Sequence, residues 1–277
     1  MEMSMNKEVV VVIGVGGIGQ AIARRQGAGK TVLLADINED TLASAAGELR
    51  SMGHTITTQR VDVSVRESVA ALANSAAGLG SVTQVITTAG LSPVQASPSA
   101  ILAVDLLGVA LVLEEFGRVI ASGGAGIVIS SMAGHMLPPL SPEQNEALAY
   151  TPADDLLKLT FLAADGVPNS GAAYGISKRA NHLRVQAAGI DWGERGARVN
   201  SISPGIILTP LAEEEMAGPG GPRYREMIQA SPAGRVGTTD EIASAAAYLL
   251  GPDAGFITGS DLLIDGGVIA AIRSGRL

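Results

Sequence analysis

Seven short aliphatic and β-branched runs recur along the chain: VVVVI at 9–13, TVLLA at 31–35, TITTQRV at 55–61, SVTQVITT at 81–88, GIVIS at 126–130, RVNSIS at 198–203 and DLLI at 261–264. Between them lie segments such as 39–50, 65–79, 98–121, 172–195 and 239–250, where Ala and Leu return every three to four residues, as on one face of a helix. Steady alternation of strand and helix implies right-handed crossovers, and hence a parallel sheet with helices on both faces. The expectation is an α/β fold, doubly wound, with a seven-stranded parallel sheet. It forms one domain over 1–277, because no linker or internal repeat divides the chain. With 47% hydrophobic but only 3% aromatic residues, the core must be built from Ala, Val, Ile and Leu, which suits strands buried on both faces.

Two regions break the rhythm. Residues 135–171 form an insertion with two helix starts that carry Pro at the first helical position, Ser141-Pro142 and Thr151-Pro152. A second patch at 213–235 is rich in Pro and Gly and reads as a mobile lid.

Charge and cysteine usage exclude several functions. Nineteen basic against twenty-seven acidic residues give a net charge of -8, and no Lys/Arg cluster is present to follow a phosphate backbone, so no nucleic acid partner is expected. The chain has no Cys, and its three histidines, His54, His135 and His182, are scattered, so no metal site is expected. No acidic partner stands at useful spacing from His135 or His182, and both are assigned to surface or core, as Trp192 is to packing. MEMSMNKE at the start has no apolar segment of a signal peptide, and no apolar run of about 18 residues exists to span a bilayer. A cytoplasmic protein without a membrane partner is expected.

The pattern Gly14-x-Gly16-x-x-Gly19 follows a strand and opens a helix, the context in which it cradles a dinucleotide. Gly14 allows the tight turn, Gly16 the approach of a pyrophosphate, and Gly19 close packing of helix on strand; Gly17 and Ile18 complete the cradle at the helix N-terminus. The alternative is a plain turn. Asp36 ends the second strand twenty-two residues after Gly14, where a carboxylate accepts from an adenosine ribose; the alternative is a cap for the next helix, a role Asn38 fits equally. With Ile37 and Asn38 following and no basic residue in the glycine loop, nothing compensates a 2′-phosphate, so NAD is expected over NADP. Tyr174 and Lys178, four residues apart on a helix, project to one point, and a nearby ammonium stabilises the phenolate of a group that ordinarily ionises near pH 10. Tyr174 is therefore a candidate general acid and base.

At this point the chain resembles the short-chain dehydrogenases/reductases over nearly its whole length. The resemblance rests on Asp62-Val63 after the third strand, TTAG at 87–90, ISSMAG at 129–134, YGISK at 174–178, NSISPGIILTP at 200–210 and DGG at 265–267. It implies a Rossmann-type fold and hydride transfer between NAD(H) and an alcohol or ketone substrate. It also implies that Ser131 hydrogen-bonds the substrate oxygen, that Lys178 also reaches the nicotinamide ribose, that Asp62 and Val63 touch the adenine, and that Ala89 and Gly90 contribute to the cofactor cleft. After the sixth strand it assigns Pro204, Ile207 and Thr209 to the nicotinamide end, where the bland alternative is a proline turn and a helix cap. A homotetramer or homodimer is implied too, and the apolar faces of 98–121 and 172–195 are compatible with it.

Four departures stand out, one being Thr87 and Thr88 where the family carries two asparagines. The glycine loop is one residue shorter than the family's; Asp105 occupies the position of a usual Asn near the catalytic Lys; and forty-three residues separate Ser131 from Tyr174 where about a dozen are common. Asp105 accepts but cannot donate when ionised, and is retained as a candidate catalytic residue. The insertion is expected over the substrate pocket or at a subunit edge, with MLPPL and LLKLTFLA as apolar walls that favour a hydrophobic alcohol or ketone. A sensor that binds NAD with weak activity and an NADPH-dependent carbonyl reductase are the rival readings.

Overall fold

The aliphatic run at the start becomes β1 (Glu8–Ile13), buried on both faces: Val9, Val11 and Ile13 enter one core, while Val10 and Val12 enter the other. The computed structural model describes residues 7–277 apart from 95, 164, 165 and 219, with only the backbone of 211 and 214; most of the N-terminal stretch read for a signal peptide lies outside the described residues. The other strands are β2 (Thr31–Asp36), β3 (Thr55–Arg60), β4 (Ser81–Thr87), β5 (Ile120–Ile129), β6 (Arg198–Pro204) and β7 (Asp261–Ile264). They pair in the order β3-β2-β1-β4-β5-β6-β7, all parallel, as the alternation requires.

The first helices are α1 (Gly17–Gln26), α2 (Glu39–Ser51) and α3 (Arg66–Leu79). The segment expected as one helix over 98–121 is instead α4 (Pro98–Ile101), a π-helical stretch over Leu102–Gly108, and α5 (Val109–Gly117). Apolar spacing of three to four residues does not register an extra residue wound into a turn, so the π segment was invisible in the pattern. The chain continues through α6 (Ala133–Met136), α7 (Pro142–Tyr150), α8 (Ala153–Leu156), α9 (Ser170–Glu194), α10 (Pro210–Ala217), α11 (Gly221–Ala230), α12 (Thr239–Leu250) and α13 (Val268–Arg273). Ile22 of α1, Leu42 of α2 and Ile242 of α12 share one core; Leu72 of α3, Phe116 of α5 and Val185 of α9 share the opposite one.

Much of the stretch 135–171, read as an insertion, packs onto the chain itself. α7 starts with a reciprocal capping box between Ser141 and Gln144, and Leu148, Ala153, Leu156, Leu162 and Val167 are buried in the same core as α5 and α9. With this cover, α5 is buried almost all round, from Val109 to Leu113 and at Phe116. One expectation is corrected, the place of LLKLTFLA. It packs against helices rather than walling a pocket, and the helix faces read as compatible with a tetramer are largely occupied by the chain itself. Periodicity says which residues need burial, not what buries them.

Arg66 fastens this layer: its guanidinium donates to Glu114 (2.8 Å), Glu115 (2.7 Å) and Asp154 of α8 (2.8 Å). Removing it leaves three carboxylates facing one another. Arg66→Ala is expected to cost about 2–3 kcal/mol, the usual scale for hydrogen bonds to charged groups, read as a lowered denaturant midpoint with unchanged slope.

Candidate active site

The sheet order puts β1 beside β4 while the connections leave in opposite directions, so a crevice opens at their C-terminal ends. Gly14 leaves β1 with φ +92°, and a Cβ there would lie 2.4 Å from the Ala89 nitrogen. A Cβ on Gly19 would sit 2.1 Å from the Gly14 carbonyl oxygen, so helix and strand meet as closely as the spacing implied. Thr88 holds the turn by donating its hydroxyl to the Gly14 carbonyl at 2.6 Å. Around Gly16, by contrast, a Cβ would meet nothing within 4 Å, and no side chain caps α1. Open space before an uncapped helix N-terminus, with Gly17 and Ile18 in its first turn, suits an anionic group.

Asp36 accepts from the Val15 N–H (2.9 Å) and the Asn38 N–H (3.0 Å), whereas Asn38 itself caps α2 by accepting from Thr41 (3.0 Å). The capping role thus falls to Asn38, and Asp36 is tied to the glycine loop with lone pairs to spare. Ile37 beside it is exposed. Arg60 stands opposite Asp36 in the β2–β3 register. Asp62 accepts from the Ser64 N–H (3.0 Å) and hydroxyl (2.6 Å), and Val63 is buried next to Gly108.

A cavity of about 480 Å³ adjoins the crevice and is lined by all four candidate catalytic residues, Ser131, Tyr174, Lys178 and Asp105. Ile18, Gly90, Pro204, Ile207 and Thr209 also line it, whereas Asp36, Ile37, Asp62 and Val63 lie outside, at the ends of β2 and β3. α9 starts at the cap Asn169 and carries Tyr174 and Lys178 on one side; the Lys178 Nζ lies 5.2 Å from the centre of the Tyr174 ring and 3.0 Å from Asp105 Oδ2. Asp105 sits on the π segment, fully buried, and its Oδ1 accepts from the Leu91 N–H at 2.8 Å. Burial alone would lower the Lys178 ammonium, but the charge of Asp105, then that of Tyr174 and the hydrogen bond to Asp105, outweigh it and hold the group above the ordinary lysine range. Gly90 leaves room for this pair, since a Cβ there would come within 3.0 Å of Asp105 Oδ2. Ser131 Oγ accepts from the Ala133 N–H (3.2 Å), which leaves its proton to donate. Thr209 Oγ1 accepts from the Ala212 N–H (3.2 Å), so its capping role is realised while it lines the cavity.

Met132, Ile206, Tyr224 and Met227 are among the cavity's other walls, with Met136 and Gly171 the contributions of 135–171. The patch read as a mobile lid is helical, α10 and α11, and is latched to the loop after β4. Ser92 donates its hydroxyl to Glu215 Oε1 at 2.5 Å and Tyr224 donates to Oε2 at 2.9 Å. Burial, then the neighbouring carboxylate, hold the Tyr224 phenol well above its ordinary value, so it stays a protonated donor. Glu215 escaped sequence reasoning because Pro and Gly around it masked two short helices.

His182 is buried in the core, but the histidines do have the acidic partner that sequence spacing did not reveal. His135 of α6 and His182 of α9 meet Asp261 of β7, which lies 126 positions from His135. His135 Nε2 is 2.7 Å from Asp261 Oδ2, and Asp261 Oδ1 accepts the hydroxyls of Ser201 (2.6 Å) and Ser203 (2.9 Å). His182 Nε2 contacts Ser203 Oγ (2.8 Å) and Ser130 Oγ (3.1 Å), and Ser130 donates to the Lys178 carbonyl (2.9 Å). Burial, outweighing the attraction of Asp261, pushes the His182 imidazole down to about 4, so it is uncharged near neutrality. No short-range signal marks a partner delivered by the last strand. Trp192 is buried and donates to the Leu113 carbonyl (3.1 Å), away from the cavity.

Comparison with known proteins adds an independent line. Residues 7–142 match the model of the short chain dehydrogenases, and 144–269 match that described as enoyl-(acyl carrier protein) reductase. The short-chain dehydrogenase/reductase bsc3 of Alternaria brassicicola is 43% identical over 267 residues, 96% of this chain and 97% of its own. A 3-alpha-hydroxysteroid dehydrogenase/carbonyl reductase of Comamonas testosteroni is 32% identical over 193 residues, 68% of this chain and 73% of its own. The solved structure of a short-chain dehydrogenase/reductase from Serratia marcescens superposes with a TM-score of 0.74 at 25% identity, covering 95% of this chain and 98% of that one.

Proposed function

The chain belongs to the short-chain dehydrogenase/reductase family of oxidoreductases, and from that premise we propose that it interconverts a secondary alcohol and a ketone with NAD(H), on a neutral and largely apolar substrate. The observation that carries this reading is the convergence of Ser131, Tyr174 and Lys178 on one cavity beside the glycine crevice. The residues fit a nicotinamide dinucleotide: Gly14, Gly16, Gly17, Ile18 and Gly19 would receive its pyrophosphate, Asp36 its adenosine ribose, and Pro204, Ile207 and Thr209 its nicotinamide end. Asp62, Val63, Ala89 and Gly90 would complete the cleft. Bound there, it supplies or accepts the hydride.

The protein's own groups handle the proton. Ser131 donates a hydrogen bond to the substrate oxygen and fixes it near Tyr174. Tyr174 gives that oxygen a proton in reduction and takes one in oxidation, while the Lys178 ammonium stabilises the phenolate form. Asp105 keeps Lys178 charged. For the substrate, charge decides: Lys178 is paired with Asp105, Arg223 with Glu226 at 2.7 Å, and Glu215 adds a carboxylate to the lining. Among the described lining residues the cations are Lys178, buried against Asp105, and Arg223, half-exposed in a helix-surface pair with Glu226, so the buried part of the cavity offers no unpaired cation to a phosphate or carboxylate. The test is a panel of alcohols and ketones followed by NADH absorbance; turnover confined to anionic substrates would refute the neutral-substrate reading.

One observation favours NADP as a second reading, because Arg60 in register with Asp36 places a guanidinium-bearing residue at the ribose end. Asp36 remains the nearer determinant through its bond to the loop. NADH is expected to bind at least tenfold more tightly than NADPH, about 1.4 kcal/mol, and Asp36→Ala to erase most of that gap, both read by fluorescence titration. A homo-oligomer also belongs to the proposal, but not through the covered α5 surface; exposed Tyr248, Phe256 and Leu262 lie on α12, just after it, and on β7. Among the described residues no helix is long and apolar enough to cross a membrane.

A further inference from the structure

We propose that His135, His182 and Asp261 form a binding site for a divalent transition-metal cation of the zinc type. The ligating atoms of all three residues lie within 4.8 Å of one another. Tetrahedral zinc bound at its usual distances of about 2.0–2.2 Å holds neighbouring ligand atoms roughly 3.3 Å apart. His135 Nε2 lies 2.7 Å from Asp261 Oδ2 and has to move off by about half an ångström, while His182 Nε2 lies 3.5 Å from the other oxygen, Oδ1, so a turn of the carboxylate is needed to bring one oxygen to both imidazoles at that spacing. His135 has that latitude: its side chain is 20% exposed and stands on a four-residue helix.

The surroundings are those of a built site. The hydroxyls of Ser201 and Ser203 orient the carboxylate through its Oδ1, as outer groups do around metal ligands, and leave lone pairs free. Because Ser203 donates to Asp261 and Ser130 to the Lys178 carbonyl, His182 Nε2 carries the proton in the metal-free network, and a cation displaces it, as ligation by imidazole requires; the fourth position falls to water. Two imidazoles and one carboxylate favour zinc, cobalt or nickel over magnesium or calcium, which prefer oxygen. The chain has no Cys and its third histidine, His54, is elsewhere, so few groups compete. In sequence His135 follows Ser131 by four residues and His182 follows Lys178 by four. A cation here therefore ties the Ser131 loop to the Tyr174–Lys178 helix and to the last strand.

The inference stands on this geometry and does not need the assigned reaction. Full-length protein stripped with chelator and dialysed is titrated with Zn²⁺ by calorimetry, and with Co²⁺ by visible absorption. One cation per chain, a Kd at or below about 10 µM, Co²⁺ bands of four-coordinate geometry, and a Tm raised by roughly 5 °C or more at saturation are expected. Mg²⁺ at the same concentration leaves the Tm unchanged. His135→Ala and, separately, Asp261→Asn are expected to weaken Zn²⁺ at least tenfold and abolish the Co²⁺ bands. No saturable binding to the wild-type chain up to about 1 mM, or unaltered binding by a folded His135→Ala chain, overturns the proposal.

Discussion

Replacing Tyr174 by Phe is expected to lower turnover by about 10²–10⁴-fold while leaving NADH affinity within twofold, because the change removes the proton-transferring atom and nothing else of size. The ring stays, and with it the packing of Lys178 over the aromatic face at 5.2 Å. No neighbour can take over. The Tyr224 hydroxyl is committed to Glu215 and, held there by burial, is harder to ionise than an ordinary phenol; Ser131 offers an alcohol, a far weaker acid. Comparing kcat with cofactor affinity separates the roles: a loss confined to kcat assigns the proton to Tyr174, whereas an unaltered rate removes Tyr174 from the chemistry. Tm serves as the control, since an isosteric loss of one hydroxyl leaves the core untouched.

Some of this architecture was legible because it depends on short-range rules. The run 9–13 reads as a two-sided strand since every residue in it is aliphatic, and the glycine spacing encodes contacts that the structure supplies within a few residues, at Gly14 and Gly19. Tyr174 and Lys178 share a helix face by arithmetic alone. What was not legible depends on long-range packing. Glu114 and Asp154 pull residues 142–167 onto α5 through Arg66, a contact no periodicity encodes. Asp261 reaches His135 only because β7 is the seventh strand and pairs beside β6, with Ser201 in register opposite it. Asp105 was singled out as a departure from a family pattern, but its depth and its partner Lys178 come from the π segment, whose extra residue per turn leaves no trace in hydrophobic spacing.

That buried pair sets the second large effect. Asp105→Ala is expected to destabilise the chain by about 3–5 kcal/mol, the range for breaking a buried ion pair, because it strands the Lys178 ammonium, whose side chain is only 5% exposed. It also deprives the Leu91 N–H of its acceptor. At 2–4 °C per kcal/mol for a chain of this class, the Tm falls by roughly 6–20 °C. Asp105→Asn separates structure from charge, since an amide oxygen still accepts from Leu91 while the negative charge is gone, and the stability cost drops to about 1–3 kcal/mol. With that charge gone, the chief force opposing burial of the Lys178 ammonium is lost, so Lys178 gives up its proton at a lower pH than in the wild type and turnover at neutral pH falls by more than the loss of stability explains. The sign follows from the balance at Lys178: burial disfavours the ammonium, and the Asp105 charge is the first of the forces that oppose it. A disproportionate loss of turnover in Asp105→Asn that recovers as the pH is lowered makes Asp105 the group that keeps Lys178 charged; a profile that stays in place while Tm falls reduces it to a structural counter-ion for Lys178.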